Sequence, residues 1–200
     1  SAEALFTDTA AAPASDFTYS VLAGSFISIT GYTGTDEHVS VPESIDGYTV
    51  QEIGSQAFAS RASLRSILLP ETVTTIGYRA FYNDTSLVVV GLPASLTSIG
   101  AYAFAGCSSI ESIRLPDSVA TISQYAFQNC TALSNVRLST GWTSTDSSSG
   151  IFKGCTALTE LSIPAGTAEL PDYAFRACDA LRTVTLPDTL RTISTYAFYN

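Results

Sequence analysis

One phenylalanine recurs along the chain at a nearly constant interval, and this repeat limits the possible folds more than any other feature. The interval is 23 residues except for one of 25, and the preceding residue is alanine in all but one case. The series comprises Phe58, Phe81, Phe104, Phe127, Phe152, Phe175 and Phe198. A period of this length is typical of stacked short units, because one unit cannot bury its apolar face alone. The sequence therefore predicts a solenoid of stacked coils.

Further apolar positions in register with the phenylalanine indicate the course of each coil. Period-2 spacing and β-branched residues predict a short strand over residues 112–115, which Pro116 ends. Val119 and Ile122 are expected to return to the core, and residues 125–127 to form a tight or 3₁₀ turn. Stacked in register, such strands form one parallel sheet about 4.8 Å apart on a concave face, and the other segments form the convex face.

Three short motifs repeat in the same register. They are the Leu-Pro step seen at residues 115–116, the Ile-Gly pair at 76–77, and the Ala-Phe-x-x-Cys run at 126–130. On these motifs the chain resembles the BspA-type bacterial leucine-rich repeat from about residue 40 to residue 200. The resemblance implies a right-handed, β-rich leucine-rich repeat solenoid with a parallel concave sheet and short 3₁₀ or turn segments on the convex side. It also implies a secreted or cell-surface protein of host-associated bacteria that serves adhesion and partner binding, and it does not imply an enzyme.

Composition and alternation predict three parts of the chain. Residues 1–16 are rich in Ala, Ser, Thr and Pro and are expected to form a flexible linker. Residues 17–41 alternate polar and apolar side chains around a turn at Ala23-Gly24, which predicts a β-hairpin that caps the open end of the first coil. Residues 42–200 are expected to form about seven coils, the last one incomplete. We expect a signal peptide to have been removed before Ser1.

The charge of the chain argues against two classes of partner. Nine basic and 18 acidic residues give a net charge of −9, which repels phosphate backbones and anionic membrane surfaces. Nucleic-acid binding is therefore not expected. The sequence also contains no apolar run approaching the roughly 18 residues that cross a bilayer, so we expect no membrane insertion in this segment.

The four cysteines occupy one position of the repeat. They are Cys107, Cys130, Cys155 and Cys178, and Arg61 and Asp84 fill the same position in earlier coils. The pattern contains no Cys-x-x-Cys pair and no paired histidines, so we predict neither a metal site nor a cofactor. Buried free thiols that act as small apolar fillers are the favoured interpretation. Oxidation between neighbouring coils is the alternative, because their Cα atoms are expected near disulfide range.

The sequence offers no catalytic residue. His38 is the single histidine and lies in a Gly-Thr-Asp stretch, which indicates a solvated loop. No serine lies in a Gly-x-Ser-x-Gly elbow, and the carboxylates are dispersed. We therefore predict a protein without enzymatic activity.

Residues 139–150 interrupt the repeat. This insertion adds two residues, lacks the usual proline and contains the only tryptophan, Trp142. Trp142 follows Leu138 by the interval that separates Val119 from Leu115, which favours a place in the core. An exposed anchor for a partner is the alternative.

A tyrosine stands two residues before the repeated phenylalanine in four coils. These residues are Tyr102, Tyr125, Tyr173 and Tyr196. Their rings are expected to pack along one flank because they follow the period of the repeat. Binding of sugar faces is the alternative.

The outward columns of the predicted concave sheet vary from coil to coil, as a recognition surface requires. Arg114 and Arg137 are expected side by side, where they would clamp a carboxylate or phosphate or else neutralise their neighbours. The nearby candidates for the same surface are Glu111, Asp117, Asn135 and Glu160. The sequence thus predicts an interaction module that binds a protein or glycan of a host or bacterial surface. The alternative is a structural spacer within a larger surface protein that carries other domains.

Overall fold

The computed structural model describes residues 10–142 and 149–200. This part of the chain contains a 3₁₀ turn at Ala14–Asp16 and sixteen short strands. In chain order the strands are β1 (Phe17–Val21), β2 (Phe26–Tyr32), β3 (His38–Ser40), β4 (Ser44–Ile45), β5 (Tyr48–Ile53), β6 (Ser66–Leu68), β7 (Thr75–Ile76), β8 (Val89–Gly91), β9 (Ser98–Ile99), β10 (Ser112–Arg114), β11 (Thr121–Ile122), β12 (Asn135–Arg137), β13 (Glu160–Ser162), β14 (Glu169–Leu170), β15 (Thr183–Thr185) and β16 (Thr192–Ile193). The predicted β-solenoid with almost no helix is therefore confirmed.

One side of the solenoid is the predicted concave sheet. Its strands pair in parallel in three groups, β3-β6-β8, β10-β12 and β13-β15. The strand predicted over residues 112–115 is observed as β10. Its middle residue, Ile113, is buried while Ser112 and Arg114 are exposed, so the period-2 interpretation is correct.

A second ladder on the opposite side was not predicted. β2, β5, β7, β9 and β11 pair in parallel in that order, and β14 pairs with β16. Most of these strands have two residues, a length that leaves no recognisable pattern in the sequence. The stacking of the coils determines which of these strands pair. Hydrogen bonds between coils also continue beyond the strand ends, since the Gly77 and Gly100 amides each donate a 2.7 Å hydrogen bond to the previous coil.

The repeated phenylalanines form a single file through the core. From Phe58 to Phe175 they are 0–1% exposed, and neighbouring rings lie 5.0–5.6 Å apart with interplanar angles of 2–16°. Phe198 continues the file at 5.5 Å from Phe175. The extra residues between Phe127 and Phe152 leave the spacing at 5.2 Å, so the insertion is accommodated outside the file.

A hairpin covers the first coil, but it spans residues 17–32, and residues 38–40 of the predicted cap belong to the concave sheet as β3. β1 and β2 are antiparallel, and β2 joins the second ladder by pairing with β5. Tyr32 stacks on Phe58 at 5.5 Å, and Phe17 packs on Tyr32 at 5.1 Å. The Arg61 guanidinium lies 4.8 Å from the centre of the Tyr32 ring and donates to the Gly34 carbonyl. The cap therefore extends the aromatic file and covers its first member.

The segment around each file phenylalanine is a turn, as predicted for residues 125–127. In that coil the amides of Tyr125, Phe127 and Asn129 donate to carbonyls of the next coil at 2.8–2.9 Å. Tyr125 and Asn129 both have a φ of +57°. Left-handed backbone therefore recurs along the solenoid at two positions, two residues before and two residues after the file phenylalanine. Backbone of this kind favours glycine or asparagine.

Replacing Ala177 with glycine is expected to raise the free energy of unfolding by about 0.5–1 kcal/mol. Ala177 has a φ of +56° at a position that is asparagine or glycine in the four preceding coils. Removing its Cβ relieves the left-handed strain, and this gain exceeds the entropic cost of glycine. Urea unfolding measures the change. Ala180→Gly, at a neighbouring position without a positive φ, should lower stability, and a gain there too would contradict the explanation.

The cysteine position is buried, and its four thiols are free. Each Sγ donates to the carbonyl of the file phenylalanine one coil earlier, at distances of 3.0–3.3 Å. Burial raises the pKa of all four thiols above its usual range. The favoured interpretation, small buried fillers, therefore agrees with the structure, and the arrangement holds the thiols in their unreactive protonated form.

Trp142 is in the core. Its side chain is 2% exposed, and Ser139 at the start of the same insertion donates to the Val119 carbonyl at 2.6 Å. The alternative of an exposed anchor is therefore wrong, because the indole replaces an apolar side chain that the interrupted repeat lacks. Residues 143–148 of the insertion lie outside the described part of the chain.

Candidate functional site

The exposed columns of the concave sheet are polar in its C-terminal half. The first and third residues of β10, β13 and β15 are exposed, and so is Asn135 at the start of β12. Alternation along a strand places their middle residues in the core. This half of the sheet thus combines a rigid apolar support with side chains that differ from coil to coil.

The N-terminal half differs from the prediction at Ser66. Ser66 begins β6 in one of the columns that were expected to point outward, but it is 1% exposed and lies beside His38 of the neighbouring strand. The Nδ1 atom of His38 is 2.7 Å from the Ser66 hydroxyl. His38 is exposed, as predicted, but it begins β3 and does not lie in a loop.

The Ser66 and His38 pair does not have the geometry of an acyl-transfer site. A nucleophilic serine must be reachable by the substrate, and its histidine is oriented by a third group. Ser66 is buried, and within residues 10–142 and 149–200 no carboxylate is hydrogen-bonded to the His38 ring. We therefore assign this pair a structural role in joining β3 to β6.

The two arginines lie side by side but differ in their bonding. Arg114 and Arg137 are direct partners in the pairing of β10 with β12. The Nη2 atom of Arg137 is 3.0 Å from both carboxylate oxygens of Asp117, and its Nη1 donates to the Leu115 carbonyl at 3.2 Å. These hydrogen bonds lower the pKa of Asp117. Arg137 thus neutralises a neighbour.

Arg114 is the arginine available to a partner. It is exposed, and its guanidinium makes no hydrogen bond or ion pair with any residue that the structure describes. Its five N–H donors suit a carboxylate or phosphate in a bidentate arrangement. The predicted clamp of two arginines therefore reduces to one free guanidinium beside a fixed one.

A shallow cleft of about 270 Å³ opens on the same sheet; residues of β12, β13 and β15 line it, and neither arginine does. Its lining includes Asn135 and Glu160, which were predicted as binding residues. β12 pairs with β10 and β13 pairs with β15, whereas β12 and β13 are not paired with each other. The insertion enters the chain between these two strands. Its two extra residues were the one sequence signal for the cleft.

Glu111, the last of the predicted binding residues, makes its hydrogen bonds through its backbone carbonyl. Its carbonyl accepts hydrogen bonds from the Ser134 and Asn135 amides at 2.9 and 3.3 Å, and its side chain is exposed. It therefore lies at the margin of the cluster. The candidate site is a polar surface over β10, β12 and β13, which we call the concave patch: Arg114, Arg137, Asp117, Asn135, Glu160 and Glu111.

These features define a leucine-rich repeat solenoid, and comparison with known families makes the assignment specific. Residues 51–149 and 145–200 match the model of the BspA type leucine rich repeat region, in six copies. The chain therefore belongs to the BspA-type leucine-rich repeat family. A comparison with curated protein sequences gives no match.

Solved structures support the same fold. The chain is 33% identical to a Treponema pallidum leucine-rich repeat protein over 92% of its own length and 86% of that protein, with a TM-score of 0.87. It is 25% identical to a leucine-rich repeat protein from Bacteroides ovatus, over 89% of this chain and 54% of that one, with a TM-score of 0.64. A leucine-rich cell surface protein from Faecalibacterium prausnitzii is 28% identical, with coverages of 96% and 46% and a TM-score of 0.64. The chain spans about half of the last two proteins.

The fold supplies a scaffold for interactions with other proteins. Within the residues that the structure describes, no helix is long and apolar enough to cross a membrane.

Proposed function

We propose that this chain is a non-enzymatic interaction module of a secreted or cell-surface protein, and that it binds a protein partner through the concave patch. The free guanidinium of Arg114 carries the proposal. An exposed arginine without a partner breaks no existing ion pair when it meets a carboxylate, and its planar fork can form two hydrogen bonds to it at once. The adjoining cleft adds the amide of Asn135 and the carboxylate of Glu160. The patch therefore offers hydrogen-bond donors, hydrogen-bond acceptors and charges of both signs.

An adhesion role is consistent with this chemistry. The family includes a structural relative described as a cell surface protein. A polar patch with one unpaired cation, in a chain of net charge −9, favours a partner that places an acidic side chain at Arg114 and polar groups in the cleft.

Reversal of the charge at Arg114 is expected to weaken binding by at least tenfold. The probes are purified extracellular-matrix proteins and bacterial envelope proteins, immobilised one by one, and surface plasmon resonance gives Kd for each. Arg114→Glu introduces repulsion where the partner presents its acid, while folding stays intact because Arg114 has no partner within the described residues.

Arg191→Glu is the matched control. Arg191 is an exposed arginine of the opposite side, where its Nη1 donates to the Asp188 carbonyl at 2.7 Å. Equal binding by the native chain and Arg114→Glu, or equal loss in both variants, would contradict the proposal. Failure of every probe would favour the alternative of a structural spacer.

A further inference from the structure

A second surface lies on the flank of the solenoid, where the turns around the file phenylalanines reach solvent. This aromatic flank consists of the tyrosines and cations that lie from three residues before to one residue after a file phenylalanine. Its members are Tyr78, Arg79, Tyr82, Tyr102, Tyr125, Lys153, Tyr173, Arg176, Tyr196 and Tyr199. A third of the nine basic residues of an acidic chain are thus collected among aromatic rings.

The flank arginines have no anionic partner among the residues that the structure describes. Arg79 lies 4.7–5.4 Å from the centres of three tyrosine rings, and its Nε is buried without a hydrogen-bond acceptor. Arg176 lies 5.5 Å from the Tyr173 ring and 5.4 Å from the Tyr199 ring. Neither guanidinium forms an ion pair or a side-chain hydrogen bond with the residues that the structure describes. The nearby Asp172 carboxylate instead accepts the Thr195 amide at 2.8 Å.

Around Arg176 the flank forms a cleft of about 240 Å³. Its lining comprises Tyr173, Arg176, Tyr196 and Tyr199. Tyr173 and Tyr196 stack at 5.5 Å, whereas Tyr199 stands against Tyr196 at an interplanar angle of 77°. The cleft therefore has two ring walls at nearly a right angle, with a guanidinium between them. Tyr173 and Arg176 of the preceding coil are partly exposed, so the cleft reaches solvent.

We propose that this cleft binds a carboxylated sugar, with a face of the sugar ring against tyrosine and the carboxylate on Arg176. The site is separate from the concave patch, and its ligand is a saccharide rather than a protein.

The chemistry of the cleft selects this class. A ligand cation is disfavoured because the positive charge of Arg176 would repel it. An anion supplies the acceptors that the guanidinium lacks, and a carboxylate matches its planar donors. Tyrosine combines an apolar ring for the C–H face of a sugar with a hydroxyl for its polar rim. The cleft is smaller than the roughly 300–1,000 Å³ of drug-sized ligand sites, a size that suits a single sugar ring.

The test uses the whole chain and a matched pair of ligands, a hexamer of galacturonic acid and its methyl ester. The two probes have the same sugar rings, and each carboxyl group is a charged carboxylate in one and an uncharged methyl ester in the other. Isothermal titration calorimetry is expected to show binding of the acid at least tenfold tighter than that of the ester. Arg176→Gln should remove this difference, while Arg182→Gln, an exposed arginine that directly precedes β15, should preserve it.

Tyr199→Ser provides a second variant and is expected to weaken binding of acid and ester alike by removing one ring wall. Thermal unfolding of each variant establishes that it is folded. Equal binding of acid and ester by the native chain, or retention of the acid preference in Arg176→Gln, would overturn the proposal. Equally tight binding of hippurate, a carboxylate without a sugar, would overturn the assignment of the ligand as a saccharide.

Discussion

Replacing Phe127 with alanine is expected to lower the free energy of unfolding by about 3–5 kcal/mol. Phe127 is fully buried in the middle of the file, with rings at 5.2 Å on either side. Its removal leaves a cavity that neighbouring coils cannot fill without breaking the amide ladder of the turn, in which the Phe127 amide donates to Ile151 at 2.8 Å. Urea denaturation followed by circular dichroism measures the loss.

The position of Phe127 also determines how the chain should unfold. A solenoid is stabilised by contacts between nearest neighbours, so a weak coil in the middle uncouples the two ends. The variant is therefore expected to show a broader transition or two separate ones. Phe26→Ala is the control, because Phe26 is 38% exposed and outside the file. Similar losses at Phe26 and Phe127 would contradict the assignment of the file as the main source of stability.

Periodic features were predictable because repetition averages out local ambiguity. Seven occurrences of one phenylalanine fix the coil length, and stacking in register then requires that the rings form a file. The same reasoning placed the cysteines in one buried position and the strand over residues 112–115 near its observed bounds. The cap was predictable for a different reason, since alternation around Ala23-Gly24 is a local signal.

Features that depend on a single contact were not predictable. His38 and Ser66 stand four residues before Pro42 and Pro70, so the repeat places them side by side, but it does not specify that the histidine ring will bond to the serine and bury it. Arg137 is bound to Asp117, which leaves Arg114 alone as the free cation of the concave patch. The cleft lies where β12 and β13 are not paired with each other, and the sequence does not reveal which neighbouring strands pair.

Asp84 is the one carboxylate at the buried cysteine position. It is fully buried, and its Oδ1 accepts the Arg61 amide at 2.6 Å. Its Oδ2 is also buried and has no hydrogen-bond partner. Burial raises the pKa of Asp84 from 3.8 to about 7, against the opposing hydrogen bond and charge of Arg61. The folded chain therefore holds a proton on Asp84 that the unfolded chain releases.

The stability of the native chain is consequently expected to fall as the pH rises from about 4 to about 7. In this window the folded state binds the proton and the unfolded state does not, so Asp84 contributes a decrease of about 1.4 kcal/mol per pH unit. Its contribution is complete below the unfolded pKa and is lost as the pH passes the folded pKa. Asp84→Asn keeps the acceptor for Arg61 and removes the titration, so it should be more stable than the native chain by about 4 kcal/mol at pH 8 and nearly equal at pH 4.

Asp84→Cys gives an independent test, because it installs the residue that four later coils carry at this position. There each thiol donates to the phenylalanine carbonyl one coil earlier, and the equivalent acceptor for residue 84 is the Phe58 carbonyl.

Asp117→Asn is the control. The pKa of Asp117 is lowered, so its contribution is present at neutral pH and lost in acid, the opposite sign. The free energy of unfolding is measured from pH 4 to pH 8 for the native chain and for the Asp84 variants. If the curves run parallel, the Asp84 carboxylate is not held neutral. A gap that widens toward high pH would establish that a charge must be buried there once Asp84 ionises.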